Sequence, residues 1–163
     1  MILAFAGSNS STSINHKLVS TIADSKEGIE VIKLTDYEIP IYSMDIETEK
    51  GIPAGVKDLD IKLQGYNELI ISVAEHNGNL TAFFKNILDW LSRNNRNFLE
   101  GKKILLLGAS PGQGAAGSAR AVAEKTLPYF KGEVIKSIGF PTFQDKLNED
   151  VLDISSIIEE INF

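Results

Sequence analysis

Gly7-Ser8-Asn9-Ser10-Ser11-Thr12-Ser13-Ile14-Asn15 joins a short apolar run to an amphipathic segment. Before it, Ile2 to Ala6 reads as a buried strand. After it, Ile14, Leu18, Val19, Ile22 and Ala23 recur at helical spacing. The stretch is therefore a strand-to-helix turn carrying five hydroxyl side chains, Ser8, Ser10, Ser11, Thr12 and Ser13. A helix start leaves backbone N–H groups without partners and carries partial positive charge. Hydroxyls beside those groups make a cradle for an anion such as phosphate. One Ser or Thr suffices for a helix cap, so five exceed what capping needs. At the level of residue types, both a phosphate cradle and a plain capped turn stay open. A P-loop does not, because no Gly-Lys-Ser/Thr ending is present.

The rest of the chain repeats the pattern. Ile29 to Leu34 is a short, mostly β-branched run, preceded by the stop signal Lys26 and Gly28. Thr35 to Gly51 has no clear period and reads as a long loop. Pro53 opens a helix with Val56, Leu59 and Leu63 on one face and Gly65 at its end. Glu68 to Ala74 is nearly continuously apolar, the mark of a strand buried on both faces. The polar turn Glu75 to Asn79 follows, then a helix with Leu80, Phe83, Phe84, Ile87, Leu88 and Leu91 in one stripe. Lys102 to Leu107 is another buried strand. It runs through Gly108 to Gly117 into a small-residue helix with Ala119, Val122, Ala123 and Leu127. Glu133 to Phe140 is a fifth strand. Asn148 is a plausible cap for a last helix lined by Val151, Ile154, Ile158 and Ile161.

Strand and helix thus alternate along one domain, residues 1–163, with no linker or repeat. Such alternation predicts an α/β three-layer sandwich with a five-stranded parallel sheet, in the flavodoxin-like order 2-1-3-4-5. Ligands of such sheets bind outside the carboxyl ends of the strands, at the switch point. The loops after strands one, three and four are all rich in Gly, Ser or Asn, and this order brings them to one edge.

Composition narrows the function. The 163 residues carry a net charge of −6 and no cysteine. An acidic chain lacks the basic face that nucleic-acid binding needs. Disulfides, thiolate catalysis and cysteine-based metal sites are excluded. The start of the chain has no basic segment and no long apolar run, so a cytoplasmic protein away from membranes is expected. The two histidines, His16 and His76, lack companion ligands at metal-site spacing. His16 reads as a surface residue. Glu75 reads as a carboxylate that holds its loop rather than a general base. Arg93, Arg96, Lys102 and Lys103 form a basic cluster that fits a solvated helix end or a subsite for a dinucleotide phosphate. Gly112-x-Gly114-x-x-Gly117 matches the dinucleotide-binding pattern, but Ile135, Lys136 and Ser137 stand where that pattern wants an acid. A backbone passing close to a flat ligand accounts better for these glycines.

Taken together, the motifs resemble the NAD(P)H-dependent FMN reductases. Gly7-Ser8-x4-Ser13-x-Asn15 is similar to that family's phosphate loop. Glu75-His76-Asn77-Gly78, with Lys85-Asn86-x-x-Asp89-Trp90 behind it, is similar to its second loop and following helix. Ser110-Pro111-Gly112 is similar to its third loop, and Glu38-Ile39-Pro40-Ile41-Tyr42 to the segment after its second strand. Many members have Arg where Ser10 stands, Tyr at His76, and a Gly-Gly pair near Ala115 and Ala116. The resemblance implies that Ser8, Ser10, Ser13, Ile14 and Asn15 surround the FMN phosphate. It implies that Glu75, His76, Asn77 and Gly78 border the isoalloxazine on one side, and Ser110, Pro111 and Gly112 on another. It also implies NAD(P)H as electron donor, a small-molecule electron acceptor, chemistry carried by the flavin without a catalytic side chain, and a homodimer or homotetramer. Trp90, off the main stripe of its helix, is expected at that interface. Two other readings remain open. One is a flavodoxin-type electron carrier, whose Thr-x-Thr-Gly-x-Thr loop is absent here. The other is a flavin-free interaction protein that kept only the fold.

Overall fold

The computed structural model describes residues 1–148 and residue 159. Ile2–Gly7 forms β1, and Ile14–Ser25 forms α1. Ile29–Val31 forms β2, followed by a single 3₁₀ turn at Leu34–Asp36. Helices α2, Met44–Lys50, and α3, Ala54–Gln64, lead into β3, Glu68–Val73. Glu75–His76 and Asn79–Leu80 are β4 and β5, and α4 spans Ala82–Asn94. The chain continues through β6, Lys103–Ala109, α5, Gly117–Thr126, β7, Glu133–Phe140, and α6, Phe143–Asn148.

The main sheet has the order β2-β1-β3-β6-β7 and is parallel throughout. Counting only its strands, this is the expected order 2-1-3-4-5. Alternation of side chains along the central strands feeds two cores. Leu3, Phe5, Leu69, Ile71, Ile104 and Leu106 pack with Leu59 and Leu63 of α3, Ile87 and Leu88 of α4, and Ala119 and Ala123 of α5. Ile2, Ala4, Ile70, Leu105 and Leu107 pack with Leu18, Val19 and Ile22 of α1 and Phe143 of α6. Each fully buried Leu, Ile or Phe contributes about 1.5–3 kcal/mol, which explains why these runs hold no charge.

Two stretches depart from the sequence reading. The loop from Thr35 to Gly51 contains α2, whose residues are all at least partly exposed, so no apolar period announced it. Its end signals are nonetheless present: the Ser43 hydroxyl accepts from the Asp45 N–H at 3.2 Å, and Gly51 closes the helix at φ 72°. The polar turn after β3 is a small antiparallel hairpin, with Glu75 opposite Leu80 and His76 opposite Asn79. Asn77 and Gly78, at φ 53° and 70°, form its two-residue turn. Asn-Gly is the commonest sequence for such turns because both residues tolerate positive φ.

Trp90 does not reach the surface. It is 0 % exposed within its own chain. The segment after β2 folds back over α4, and the Trp90 Nε1–H donates to the Pro40 carbonyl at 2.8 Å. Asn86 Nδ2 donates to the same carbonyl at 2.9 Å, and Asn86 Oδ1 accepts from the Tyr42 N–H at 2.7 Å. The Tyr42 ring meets the indole edge-on, with centroids 5.0 Å apart. The last expected helix, with Val151, Ile154, Ile158 and Ile161, lies outside the described residues. Asn148 falls within a helix that begins upstream at Phe143.

Candidate functional site

The first loop is braced by its own hydroxyls. Ser8 Oγ accepts from the Ser10 N–H, and Ser10 Oγ accepts from the Thr12 N–H, both at 3.3 Å. Ser13 is the N-cap of α1: its Oγ accepts from the His16 N–H at 3.2 Å. The backbone N–H groups of Ile14 and Asn15, in the first turn, find no partner among the described residues. Asn15 is buried, and its side chain does something else. Oδ1 accepts from Ser72 Oγ at 2.7 Å and from the Ala109 N–H at 2.8 Å, while Nδ2 donates to the Ala109 carbonyl at 3.2 Å. One amide thus ties α1 to the ends of β3 and β6. The sequence held a signal for this, because Asn15 shares a helical face with Leu18, Val19 and Ile22.

The second and third loops are tied in the same manner. Glu75 Oε2 accepts from the N–H groups of Ser118 and Ala119 at 2.9 and 3.1 Å. Those groups belong to the first turn of α5, whose own cap residue, Ala116, makes no side-chain cap bond. Glu75 therefore holds its loop against α5. Ser110 Oγ donates to the Gly112 carbonyl and accepts from the Ala115 N–H, both at 2.8 Å. Thr81 Oγ1, which caps α4, donates to the Gly7 carbonyl at 2.8 Å. Gly7 itself has no room for a side chain, since a Cβ there would stand 2.7 Å from the Phe84 ring.

The three loops enclose one cleft of about 240 Å³ at the carboxyl edge of the sheet. Of the residues predicted for the site, Ser8, Ser10, Ser13, Ile14, Asn15, Glu75, His76, Ser110 and Pro111 line it, together with Thr12, Ala74 and Ala109. Asn77 and Gly78, at the hairpin tip, do not, and neither does Gly112. A Cβ at Gly78 would meet nothing within 4 Å, so its need for glycine comes from positive φ and not from a close neighbour. The lining fits a phosphate at one end: hydroxyls of Ser8, Ser10 and Thr12 stand beside two unpartnered backbone donors, with no side chain filling the space.

Residues 1–144 match the NADPH-dependent FMN reductase family. The chain belongs to that family. A quinone reductase of Escherichia coli (strain K12) is 29% identical over 128 residues, covering 71% of this chain and 67% of that protein. An NAD(P)H-dependent FMN reductase of Pseudomonas aeruginosa is 33% identical over 91 residues, covering 55% of this chain and 48% of that one. The chain spans from about half to about two thirds of the length of the curated relatives it matches. Among solved structures, the flavoenzyme FerB of Paracoccus denitrificans superposes with a TM-score of 0.73 at 21% identity, over 98% of this chain and 96% of that one. At that identity the likeness is one of fold.

As an FMN reductase family member, the chain departs from its sequence reading in its cations. The basic cluster does not gather at the cleft. Arg93 pairs with Glu47 of α2, its Nε 3.0 and 2.9 Å from the two carboxylate oxygens. Lys102 and Lys103 stand at the opposite, amino edge of the sheet. Lys102 is buried, and its Nζ donates to the Tyr66 carbonyl at 2.8 Å. Burial pushes its ammonium below the usual lysine range, with Asp60 acting the other way. Among the described residues, no Lys or Arg lines the cleft.

Proposed function

We propose that the protein, as a single domain over residues 1–163, is an FMN-dependent NAD(P)H oxidoreductase. It passes electrons from the nicotinamide through bound FMN to a small acceptor such as a quinone, an azo compound or a flavin. The observation that carries this reading is the convergence of three strand-end loops on one cleft whose far end offers hydroxyls and free backbone donors. Bound flavin would supply the hydride and electron chemistry; the chain supplies binding and orientation. Ser8, Ser10, Ser13 and the N–H groups of Ile14 and Asn15 hold the phosphate. Glu75, His76, Ser110 and Pro111 border the ring, and the tip residues Asn77 and Gly78, with Gly112, frame it from the loop backbones. Among the described residues, no Phe, Tyr or Trp lines the cleft. An uncovered ring face suits a reductase, which must admit nicotinamide and acceptor in turn, better than an electron carrier. Anaerobic mixing of the FMN-loaded protein with NADPH and with NADH should bleach the flavin absorbance rapidly with at least one of them. Bound FMN that stays oxidised with both would leave the carrier in its place.

The phosphate end gives a sharper expectation. FMN should bind at least tenfold more tightly than riboflavin. Ser13→Asp keeps a good N-cap but sets a carboxylate against the phosphate. It should weaken FMN by about 1–3 kcal/mol while leaving riboflavin and the melting temperature nearly unchanged. Equal losses for both flavins in a fluorescence titration would remove Ser13 from the phosphate site.

A homodimer or homotetramer is the expected working form. Ile41, in the segment before α2, and Met44, the first residue of α2, are apolar and 75% and 71% exposed. Among the described residues no helix is long and apolar enough to cross a membrane; these exposed apolar side chains are surface that another copy could cover. A sedimentation mass of one 17.8 kDa chain at micromolar concentration would count against it. The absence of cysteine fits work in the reducing cytoplasm.

A further inference from the structure

A second cleft, of about 340 Å³, lies on the other side of the serine loop. Ser8 and Ser10 belong to both clefts. Its remaining walls are Ala6, Asn9 and Ser11 from the loop, His16 from the first turn of α1, and Lys33, Leu34, Thr35 and Asp36 from the segment after β2. Lys33 is exposed and makes no ion pair among the described residues, nor does Asp36. His16 is half-buried; burial and Lys33 hold its imidazole below the ordinary range, with Asp36 acting the other way. The ring therefore adds no positive charge at neutral pH.

This arrangement answers a question of charge. A phosphate monoester carries nearly two negative charges, and among the described residues the cleft assigned to it holds no cation while Glu75 lines the same space. In a chain of net charge −6, the surrounding field opposes an anion as well. Neutral donors satisfy hydrogen bonds but leave that charge standing. Among the described residues, Lys33 is the cation whose cleft shares Ser8 and Ser10 with the cradle.

We propose that Lys33 is the cation of the phosphate site, reaching the flavin nucleotide's phosphate across the serine loop, with Asp36 on the same wall weakening the attraction. The proposal rests on the reading of the first loop as the FMN phosphate cradle. It makes Lys33 a determinant of discrimination between FMN and riboflavin. One unit charge beside a phosphate near the surface is worth about five- to thirtyfold in affinity.

The test is a titration of the purified protein with FMN and with riboflavin at 0.15 M salt, using Lys33→Gln, Asp36→Asn and, as a control, Lys17→Gln. Lys17 is exposed on α1 and lines neither cleft. Lys33→Gln should weaken FMN by about five- to thirtyfold and leave riboflavin unchanged. Asp36→Asn should tighten FMN by a few-fold, and Lys17→Gln should change it less than twofold. A Lys33→Gln effect no larger than that of Lys17→Gln overturns the proposal and leaves the cradle standing. Equal weakening of both flavins makes Lys33 a structural residue and also overturns it. An unchanged FMN affinity with a raised KM for NADPH but not NADH assigns Lys33 to the dinucleotide's phosphate instead. Equal affinity of the unaltered protein for FMN and riboflavin removes the cradle itself, and the proposal with it.

Discussion

Asn15→Leu should lower the stability of the fold by about 3 kcal/mol or more, because the buried Ala109 N–H and Ser72 hydroxyl both lose their acceptor and an unsatisfied buried group costs about 1–3 kcal/mol. Leucine suits the helix and the apolar face, so neither propensity nor polarity offsets the loss. Leucine has as many side-chain heavy atoms as asparagine but is bulkier, so no cavity opens and crowding at this buried position adds to the lost hydrogen bonds. Ser72→Ala alone should cost about 1 kcal/mol, the usual net value of one such bond. In that variant Asn15 keeps both of its bonds to Ala109. The double variant should cost less than the sum, since no hydroxyl is then stranded. Urea unfolding of the three variants measures this directly. A loss under about 0.5 kcal/mol for Asn15→Leu, far below the range for a buried unsatisfied donor, would show that the amide does not pin the three elements. The site should suffer with the fold, because the same amide sets the distance between the first and third loops.

Trp90→Ala is expected to cost about 3–5 kcal/mol, the range for removing a buried aromatic from a packed core. The cavity would open between α4 and the segment after β2, and Tyr42 would lose the ring it meets edge-on. Trp90→Phe should cost far less, about 1 kcal/mol, because the Pro40 carbonyl keeps its bond from Asn86. As the chain's single tryptophan, residue 90 reports on itself. Its emission should be blue-shifted and should not change on dilution, whatever the oligomer does. A red shift on dilution would place the indole at a subunit boundary instead of inside the chain.

These two residues mark where sequence reading stops. The central strands of the sheet were legible because strands buried on both faces must be apolar along nearly their whole length, and the edge strand Glu133 to Phe140 because it is bounded by glycine and charge. The three loops were legible as a set, since one strand order carries all three to one edge. Asn15 was legible only in part: it lines the cleft as its residue type suggested, but its helical position, on the face of Leu18 and Ile22, also sends its side chain inward to Ser72 and Ala109. Trp90 was misplaced because the segment that covers it, Tyr37 to Ser43, has no period of its own. It is held by side chains of α4 rather than by a sheet or an apolar stripe. The helix Met44–Lys50 went unseen for a related reason, having caps but no buried face. Lys33 could not be connected to the serine loop at all, because only the docking of β2 beside β1 brings the two together.

The carboxylate of Glu75 has a consequence in time as well as in space. Its bonds to Ser118 and Ala119 span 43 and 44 residues of chain. Helix α5 has no side-chain cap of its own, so the Ser118 and Ala119 N–H groups lack a partner until β3 and β6 have paired. Contacts of such long range form late in folding, after the loop between them has closed. In the native protein the same bonds make the hairpin and the start of α5 one cooperative unit. The amide protons of Ser118 and Ala119 should exchange with solvent at the rate at which the hairpin lifts, so that exchange at α5 becomes a clock for motion of the loop across the cleft.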